Sequence, residues 1–218
     1  MTREFPASAR RLGVVSAIAG VVLEVLYAVT LSAGLLSLPS PEDPIGDPLF
    51  SILEILILLL MPAMVVLMVA VHAWASAKDK VYGVAALVFM SVVAGITSAV
   101  HFVLLTVSRS DAVVALPPLS RQFAFRWPSV VYALDILAWD VFFALAVLFA
   151  APVFSGSPLA RWIRWLLMLS GILALAGLIG VVTGDMGLRN IGIVGYSAVF
   201  PVAALLLALL FHRARPST

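Results

Sequence analysis

Hydrophobic residues in this chain come in six long runs, separated by short polar segments. A helix of about 20 residues, rising 1.5 Å per residue, crosses the roughly 30 Å apolar core of a bilayer. The runs predict helices near 12–36, 49–76, 82–108, 128–154, 160–183 and 190–212. We therefore expect an all-α, polytopic transmembrane helical bundle of about six helices, forming a single transmembrane domain over 1–218.

The connections between the runs carry the residues expected of turns and of the membrane interface. The first connection, SLPSPEDPIGDP, is dense in Pro, Gly and Asp, which end helices and form turns. The third run is followed by the longer segment RSDAVVALPPLSRQFAFRWP, in which aromatic residues alternate with arginines. Amphipathic residues of both kinds favour the headgroup region of a bilayer.

Composition supports a membrane protein and excludes several other classes. Hydrophobic residues make up 63% of the chain and charged residues 11%, whereas soluble domains contain about 25% charged residues. The net charge of +2 is spread over short loops, so no continuous basic face exists for nucleic acid. Cysteine is absent, which excludes disulfides, thiolate metal sites and thiol nucleophiles. The partner predicted by composition is the lipid bilayer.

Basic residues are distributed unequally between the two sides of the predicted bundle. Nine of the 13 lie at the two termini and in the turns near 77–81 and 161–164, whereas Arg109, Arg121, Arg126 and Arg189 lie on the opposite side. The positive-inside rule then places both termini in the cytoplasm. An even number of helices agrees with that orientation.

Two carboxyl groups fall near the centre of predicted helices. Charged groups cost a few kcal/mol or more in a bilayer core, so such residues are candidates for function. Glu24 and Asp140 each lie about 12 residues from the start of their helix and therefore share a depth near the midplane. If they face each other, they would form a protonatable pair suited to proton-coupled transport. The alternative is that each only hydrogen-bonds a neighbouring helix and fixes packing.

A second polar layer is predicted nearer the opposite side from the termini. Glu54, His101 and Asp135 each lie about five to seven residues, or roughly 8–10 Å, from the ends of their helices. Tyr132 precedes Asp135 by three residues and shares its helix face. Together with residues of the last helix, this layer could floor an outward-facing polar cavity. Tyr196 of that helix reaches a similar depth, and Asp185, Arg189 and Asn190 are expected to lie above it.

No cofactor and no metal ion are predicted. His101 with Glu54 and Asp135 has the donor types of a zinc or iron site, but a hydrogen bond between His101 and Asp135 is the simpler expectation. The chain has three histidines, whereas zinc hydrolases usually present several at one site. Walker, Gly-x-Ser-x-Gly, His-Glu-x-x-His and dinucleotide-binding motifs are absent. No catalytic residue is assigned.

Two segments carry a resemblance to known sequences. RWPSVVYALDILAWDVFFALAVLFAAPVF (126–154) and GDMGLRNIGIVGYSAVFPV (184–202) resemble small multi-pass bacterial membrane proteins with no established activity. The resemblance implies a six-helix protein of the bacterial cytoplasmic (inner) membrane. It transfers no functional residue.

Three functions remain open from the sequence. The first is binding or translocation of a small solute or of protons through the bundle. Because six helices are few for a monomeric transporter, this hypothesis also predicts a homodimer. The second is a membrane-embedded enzyme that acts on a lipid through His101 and Asp135, and the third is a non-catalytic membrane subunit whose polar residues fix packing.

Overall fold

Helices dominate the computed structural model, which describes residues 5–40 and 43–217; Arg3 and Glu42 lie outside this part. Within it there are eight helices, of which six are long and apolar enough to cross a membrane. The six are α1 (Ala7–Leu36), α2 (Leu49–Trp74), α3 (Lys80–Thr106), α6 (Val130–Val153), α7 (Pro158–Thr183) and α8 (Met186–Arg213). Two short helices, α4 (Asp111–Val114) and α5 (Pro117–Gln122), lie in the connection between α3 and α6. The all-α bundle with six membrane-length helices is thereby confirmed.

Two helix starts differ from the sequence prediction. The first helix begins at Ala7 rather than near residue 12, because hydropathy marks the apolar stretch and a helix continues beyond it into polar surroundings. The last helix begins at Met186 rather than near residue 190. Asp185 caps it, accepting a hydrogen bond from the Gly187 N–H at 2.8 Å. This earlier start places Arg189 inside the helix instead of in a loop.

The six long helices form a closed ring in chain order. Each one packs against the next, and α8 returns to pack against α1. Helix α6 is the most enclosed, with 61% of its most apolar stretch buried compared with 22% for α1. Side chains of the other helices that contact α6 therefore lie in the protein interior.

The chain termini meet at one end of the ring, which we call the terminal end. Phe5–Pro6 pairs in parallel with Pro216–Ser217, and the ring of Phe5 packs on those of Trp74 and Phe211. The Arg10 side chain donates hydrogen bonds to the carbonyl oxygens of Phe211 and His212 at 3.2 and 2.6 Å. These contacts tie α1, α2 and α8 together. The other end, the loop end, carries residues 37–40, 43–48, 107–129 and 184–185.

Two of the long helices contain a π-helical turn. In α6 this turn spans Leu137–Phe143, and in α8 it spans Gly195–Val199. In α8 the turn lies just before Pro201, which has no N–H to donate and so disturbs the regular hydrogen-bond ladder. The two turns touch through Trp139 and Tyr196, whose ring centroids are 5.0 Å apart. Such turns occur frequently at functional sites.

Candidate functional site

Five ionisable side chains from four helices meet inside the ring near its loop end. We call this set the ionic cluster, and each member is at most 6% exposed. Burying so many ionisable groups is costly unless they are paired and hydrogen-bonded to one another. The members are Glu54 of α2, His101 of α3, Asp135 and Asp140 of α6, and Arg189 of α8.

His101 lies between two carboxylates. Its Nδ1 is 2.7 Å from Oε2 of Glu54, and its Nε2 is 3.6 Å from Oδ1 of Asp135. The contact with Glu54 is a hydrogen bond, and the longer one with Asp135 is an ion-pair distance. A neutral imidazole presents an N–H to one carboxylate only, whereas the protonated ring presents one to each. The arrangement therefore favours a positively charged His101. Because the two ring nitrogens point in different directions, the three groups surround the imidazole and do not converge on a common metal position.

Arg189 is the centre of the other half of the ionic cluster. Its Nη2 is 3.2 Å from Oδ2 of Asp135, and its Nε is 3.3 Å from Oδ2 of Asp140. Its Nη1 donates to the Tyr132 hydroxyl at 3.1 Å, and its Cζ lies 4.8 Å from the centre of the Tyr132 ring. All three guanidinium nitrogens are thus engaged. Asp135 pairs with both His101 and Arg189 and so connects the two halves of the ionic cluster.

The π turn of α6 explains how Asp135 and Asp140 reach the same arginine. In a regular α-helix, residues five apart point about 140° away from each other. A π turn closes with a hydrogen bond between residues five apart and so brings such residues toward one face. Asp140 lies within this turn and Asp135 just before it. The midplane and loop-end layers predicted from the sequence are therefore joined in one cluster by Arg189.

Glycines of α7 and α8 allow the cluster to form close to the backbone. A Cβ placed on Gly177 would lie 2.9 Å from the Gly192 Cα, and one placed on Gly180 would lie 2.6 Å from the backbone nitrogen of Arg189. Small residues of this kind let two membrane helices approach closely. This close approach of α7 and α8 holds the backbone of Arg189 against α7 and so fixes the position from which its side chain extends.

The wall around Asp140 is also formed by a glycine. A Cβ placed on Gly192 would lie 2.6 Å from Oδ1 of Asp140. That oxygen is buried and has no hydrogen-bond partner, and the Asp140 side chain is 0% exposed. Asp140 therefore has one oxygen bound to Arg189 and one buried oxygen without a hydrogen-bond partner.

Substituting Gly192→Ala is expected to displace the Asp140 carboxylate and to lower the free energy of unfolding by about 1–3 kcal/mol, because the added methyl overfills a packed site. Thermal unfolding in detergent would measure this change. Gly95→Ala is the matched control, since a Cβ at this exposed helical position meets nothing within 4 Å. A Gly192→Ala protein that unfolds at the same temperature as Gly95→Ala would contradict the glycine wall.

The ionic cluster has more acids than bases. Three carboxyl groups face one guanidinium and one imidazole. With both bases charged and all three acids ionised, the cluster carries one net negative charge. A single bound proton would neutralise it, and Asp140 Oδ1 is an oxygen that lacks a partner.

The other residues predicted for the site lie around the cluster or away from it. Tyr196 packs on Trp139 and lies within electrostatic range of Arg189. Asp185 is exposed and caps α8, while Asn190 is exposed on the surface of that helix.

Glu24 lies outside the ionic cluster. It belongs to the stripe of α1 that includes the buried residues Ala17 and Gly20, and its Oε2 is buried without a hydrogen-bond partner. Among the described residues, no hydrogen bond or ion pair joins Glu24 to Asp140, whose partner is Arg189. The structure therefore does not bring Glu24 and Asp140 together as the facing pair that the sequence suggested.

Three residues near the cluster did not emerge from the sequence. The Phe125 ring covers the loop-end side, with its centroid 5.7 Å from His101 and 5.0 Å from Tyr132. Tyr27 of α1 lies within electrostatic range of Asp135, Glu54 and Arg189. Thr97, one turn before His101, is 0% exposed and its hydroxyl has no partner. The helical spacing of Thr97 to His101, and of Glu24 to Tyr27, is the signal that could have identified two of them.

No family model, curated protein or solved structure matches the chain. The resemblance of residues 126–154 and 184–202 to small bacterial membrane proteins stays a prediction. What the chain does is therefore inferred from the ionic cluster itself.

Proposed function

We propose that this protein binds protons in the ionic cluster and moves protons, or a small solute coupled to them, through the helical bundle. The observation that carries the proposal is the unequal number of acids and bases around an oxygen of Asp140 that has no partner. Intramembrane carboxylates paired with basic residues are the usual components of proton relays in pumps and transporters.

A proton fits this site better than a metal cation does. Hard metal ions require about six oxygen ligands, whereas Gly192 lies directly against Asp140 Oδ1 and leaves little room there. A proton needs no such shell. Binding it would convert Asp140 into a neutral acid and weaken its attraction to Arg189, which offers a physical link between proton binding and a movement of α8 against α6.

The geometry supports lipid catalysis less well. A general base needs a ring nitrogen that is free to accept a proton from the substrate. Both ring nitrogens of His101 face carboxylates within the cluster, and its side chain is 4% exposed. A lipid substrate would have to displace Glu54 or Asp135 before His101 could act.

Orientation and compartment belong to the same proposal. The terminal end carries most of the basic residues, including the exposed pair Arg161 and Arg164 at the start of α7. Placing that end in the cytoplasm of a bacterial cell agrees with the positive-inside rule. The ionic cluster then lies in the outer half of the cytoplasmic (inner) membrane.

Proton flux into proteoliposomes would test the proposed function. With an imposed membrane potential and a trapped pH indicator, we expect Asp140→Asn to lower the protein-dependent flux by about tenfold or more, because its amide cannot take up the proton. Asp111→Asn removes an exposed carboxylate at the same end of the bundle and is expected to leave the flux unchanged.

Proton uptake by the purified protein in detergent, measured after a drop in pH, complements the flux assay. Uptake that disappears in Asp140→Asn supports proton binding by the cluster. If Asp140→Asn lowers only the unfolding temperature and leaves both uptake and flux intact, the cluster serves packing and the proposal is wrong. A lipid-turnover activity that depends on His101 would instead favour the enzyme.

A further inference from the structure

A second polar group lies at the surface of the loop end, where α2 begins, about one helical turn before Glu54 of the ionic cluster. Asp47 accepts a hydrogen bond from the Ser51 hydroxyl at 2.6 Å and another from the Ser51 N–H at 3.2 Å. Arg109 pairs with Asp47 and also donates to the Ser51 hydroxyl at 3.3 Å. The guanidinium lies 4.3 Å from the centre of the Phe50 ring, which holds it over the start of α2. We call Asp47, Ser51 and Arg109 the surface triad.

The surface triad and the ionic cluster lie on one face of α2. Ser51 precedes Glu54 by three residues, so both side chains point to the same side of the helix. Exposure falls from the surface triad into the ionic cluster: the side chain of Asp47 is 51% exposed, that of Glu54 on α2 8% and that of Asp140 on α6 0%. Among the paired members of the cluster, Glu54 is the most exposed side chain.

The other approach to His101 is covered. Phe125 lies over both His101 and Tyr132, and the segment that carries it is held by Ser129, whose hydroxyl donates to the Ala124 carbonyl oxygen at 2.7 Å. An apolar ring gives a proton no group to bind. The polar face of α2 is therefore the favoured route between water and the cluster.

We propose that the surface triad is the proton access site of the ionic cluster, passing protons from water at the loop end along α2 to Glu54. This inference rests on the proposed function, since it names the route to the same cluster. Asp47 collects protons, and Ser51 connects it to the interior face of α2. When His101 releases its Nε2 proton to Asp135 in the direction of Asp140, Glu54 passes a proton to the Nδ1 side of the ring and restores its charge. Hydrogen bonds from Ser51, together with Arg109, hold the pKa of Asp47 below its usual range, so Asp47 stays ionised and holds a proton only transiently.

The charges of the surface triad predict opposite effects for its two ionic members. A local negative charge raises the rate at which a cation arrives, and a local positive charge lowers it. Asp47→Asn leaves Arg109 uncompensated and should slow proton uptake by about threefold or more at low salt, whereas Arg109→Gln leaves Asp47 uncompensated and should speed uptake. Ser51→Ala removes the hydroxyl between them and should also slow uptake. In all three variants the number of protons bound at equilibrium should stay that of the wild type, because the cluster itself is unchanged.

Stopped-flow mixing with a pH indicator, on the purified protein in detergent, gives both the rate and the amplitude of uptake. Asp111→Asn is the matched control, with an exposed carboxylate at the start of α4. Opposite changes of rate in Asp47→Asn and Arg109→Gln support the route, because loosening of the loop would shift both in the same direction.

Two results would overturn the route. Rates equal to those of Asp111→Asn in all three variants would remove the surface triad as the access site while leaving proton binding by Asp140 intact. A wild-type protein without any uptake that depends on Asp140 would instead overturn the proposed function, and the route with it.

Discussion

Substituting Arg189→Met is expected to lower the free energy of unfolding by about 3–5 kcal/mol, because it leaves buried carboxylates without their partner. Asp135 and Asp140 both depend on this guanidinium, at 3.2 and 3.3 Å. Methionine has a similar length and no charge, so the change removes the ion pairs while roughly keeping the packing volume. Thermal unfolding in detergent and the yield of folded protein would both report the loss.

Neutralising the acids should reverse much of this effect. In Arg189→Met combined with Asp135→Asn and Asp140→Asn, the two buried carboxylates that pair with Arg189 are gone, and replacing a whole buried ion pair is often far less costly than removing one partner. Arg121→Met, at an exposed position of the loop end, is the control and should unfold like the wild type. If the triple variant is no more stable than Arg189→Met alone, Arg189 stabilises the bundle through something other than its charge.

Most of the fold could be predicted because the bilayer imposes a simple length rule. The middle four helices begin and end within about two residues of the apolar runs, since the ends of a spanning helix follow the apolar thickness it crosses. The start of α8 was missed because its first turn is capped by the exposed Asp185 and contains Arg189, a charged residue that is buried in the structure. Hydropathy assigns such a turn to a loop.

The depth of the site residues could also be predicted, but their partners could not. Position along a helix is proportional to residue number, so Glu54, His101 and Asp135 were placed in one layer, and the structure brings them together. Which face of each helix turns inward depends on packing between distant segments. For this reason Arg189, which was predicted to lie above the loop-end layer and outside the last helix, joins the two predicted layers, and Glu24 lies apart from them.

The π turn of α6 marks the limit of helical-face reasoning. Asp135 and Asp140 are five residues apart, a spacing that regular α-helix geometry separates by about 140°. Their shared partner therefore depends on a local departure from the α-helix that the sequence pattern does not signal. The same turn carries Asp140, the one acid of the cluster that is 0% exposed. Proton binding by Asp140, as proposed above, would therefore take place within the π turn.

Glu54 and His101 are expected to be strongly coupled in stability, which a double-mutant cycle would measure. The Glu54 carboxylate is 2.7 Å from His101 Nδ1, with side-chain exposures of 8% and 4%. His101→Ala leaves Glu54 buried and unpaired and should cost about 3 kcal/mol. In Glu54→Ala with His101→Ala, both ionisable groups are absent, so the double change should cost about 1–3 kcal/mol less than the sum of the single changes.

The exposed pair of Asp47 and Arg109 provides the comparison within the same chain. Water and salt screen that pair, so its coupling in an identical cycle should be much smaller than that of Glu54 and His101. Raising the salt concentration should weaken the coupling of the exposed pair further and leave that of the buried pair nearly unchanged, because interior charges are poorly screened. Equal coupling energies for the two pairs would contradict this expectation. They would mean that water screens the Glu54–His101 pair as well as it screens the exposed pair, and that burial does not strengthen the interaction.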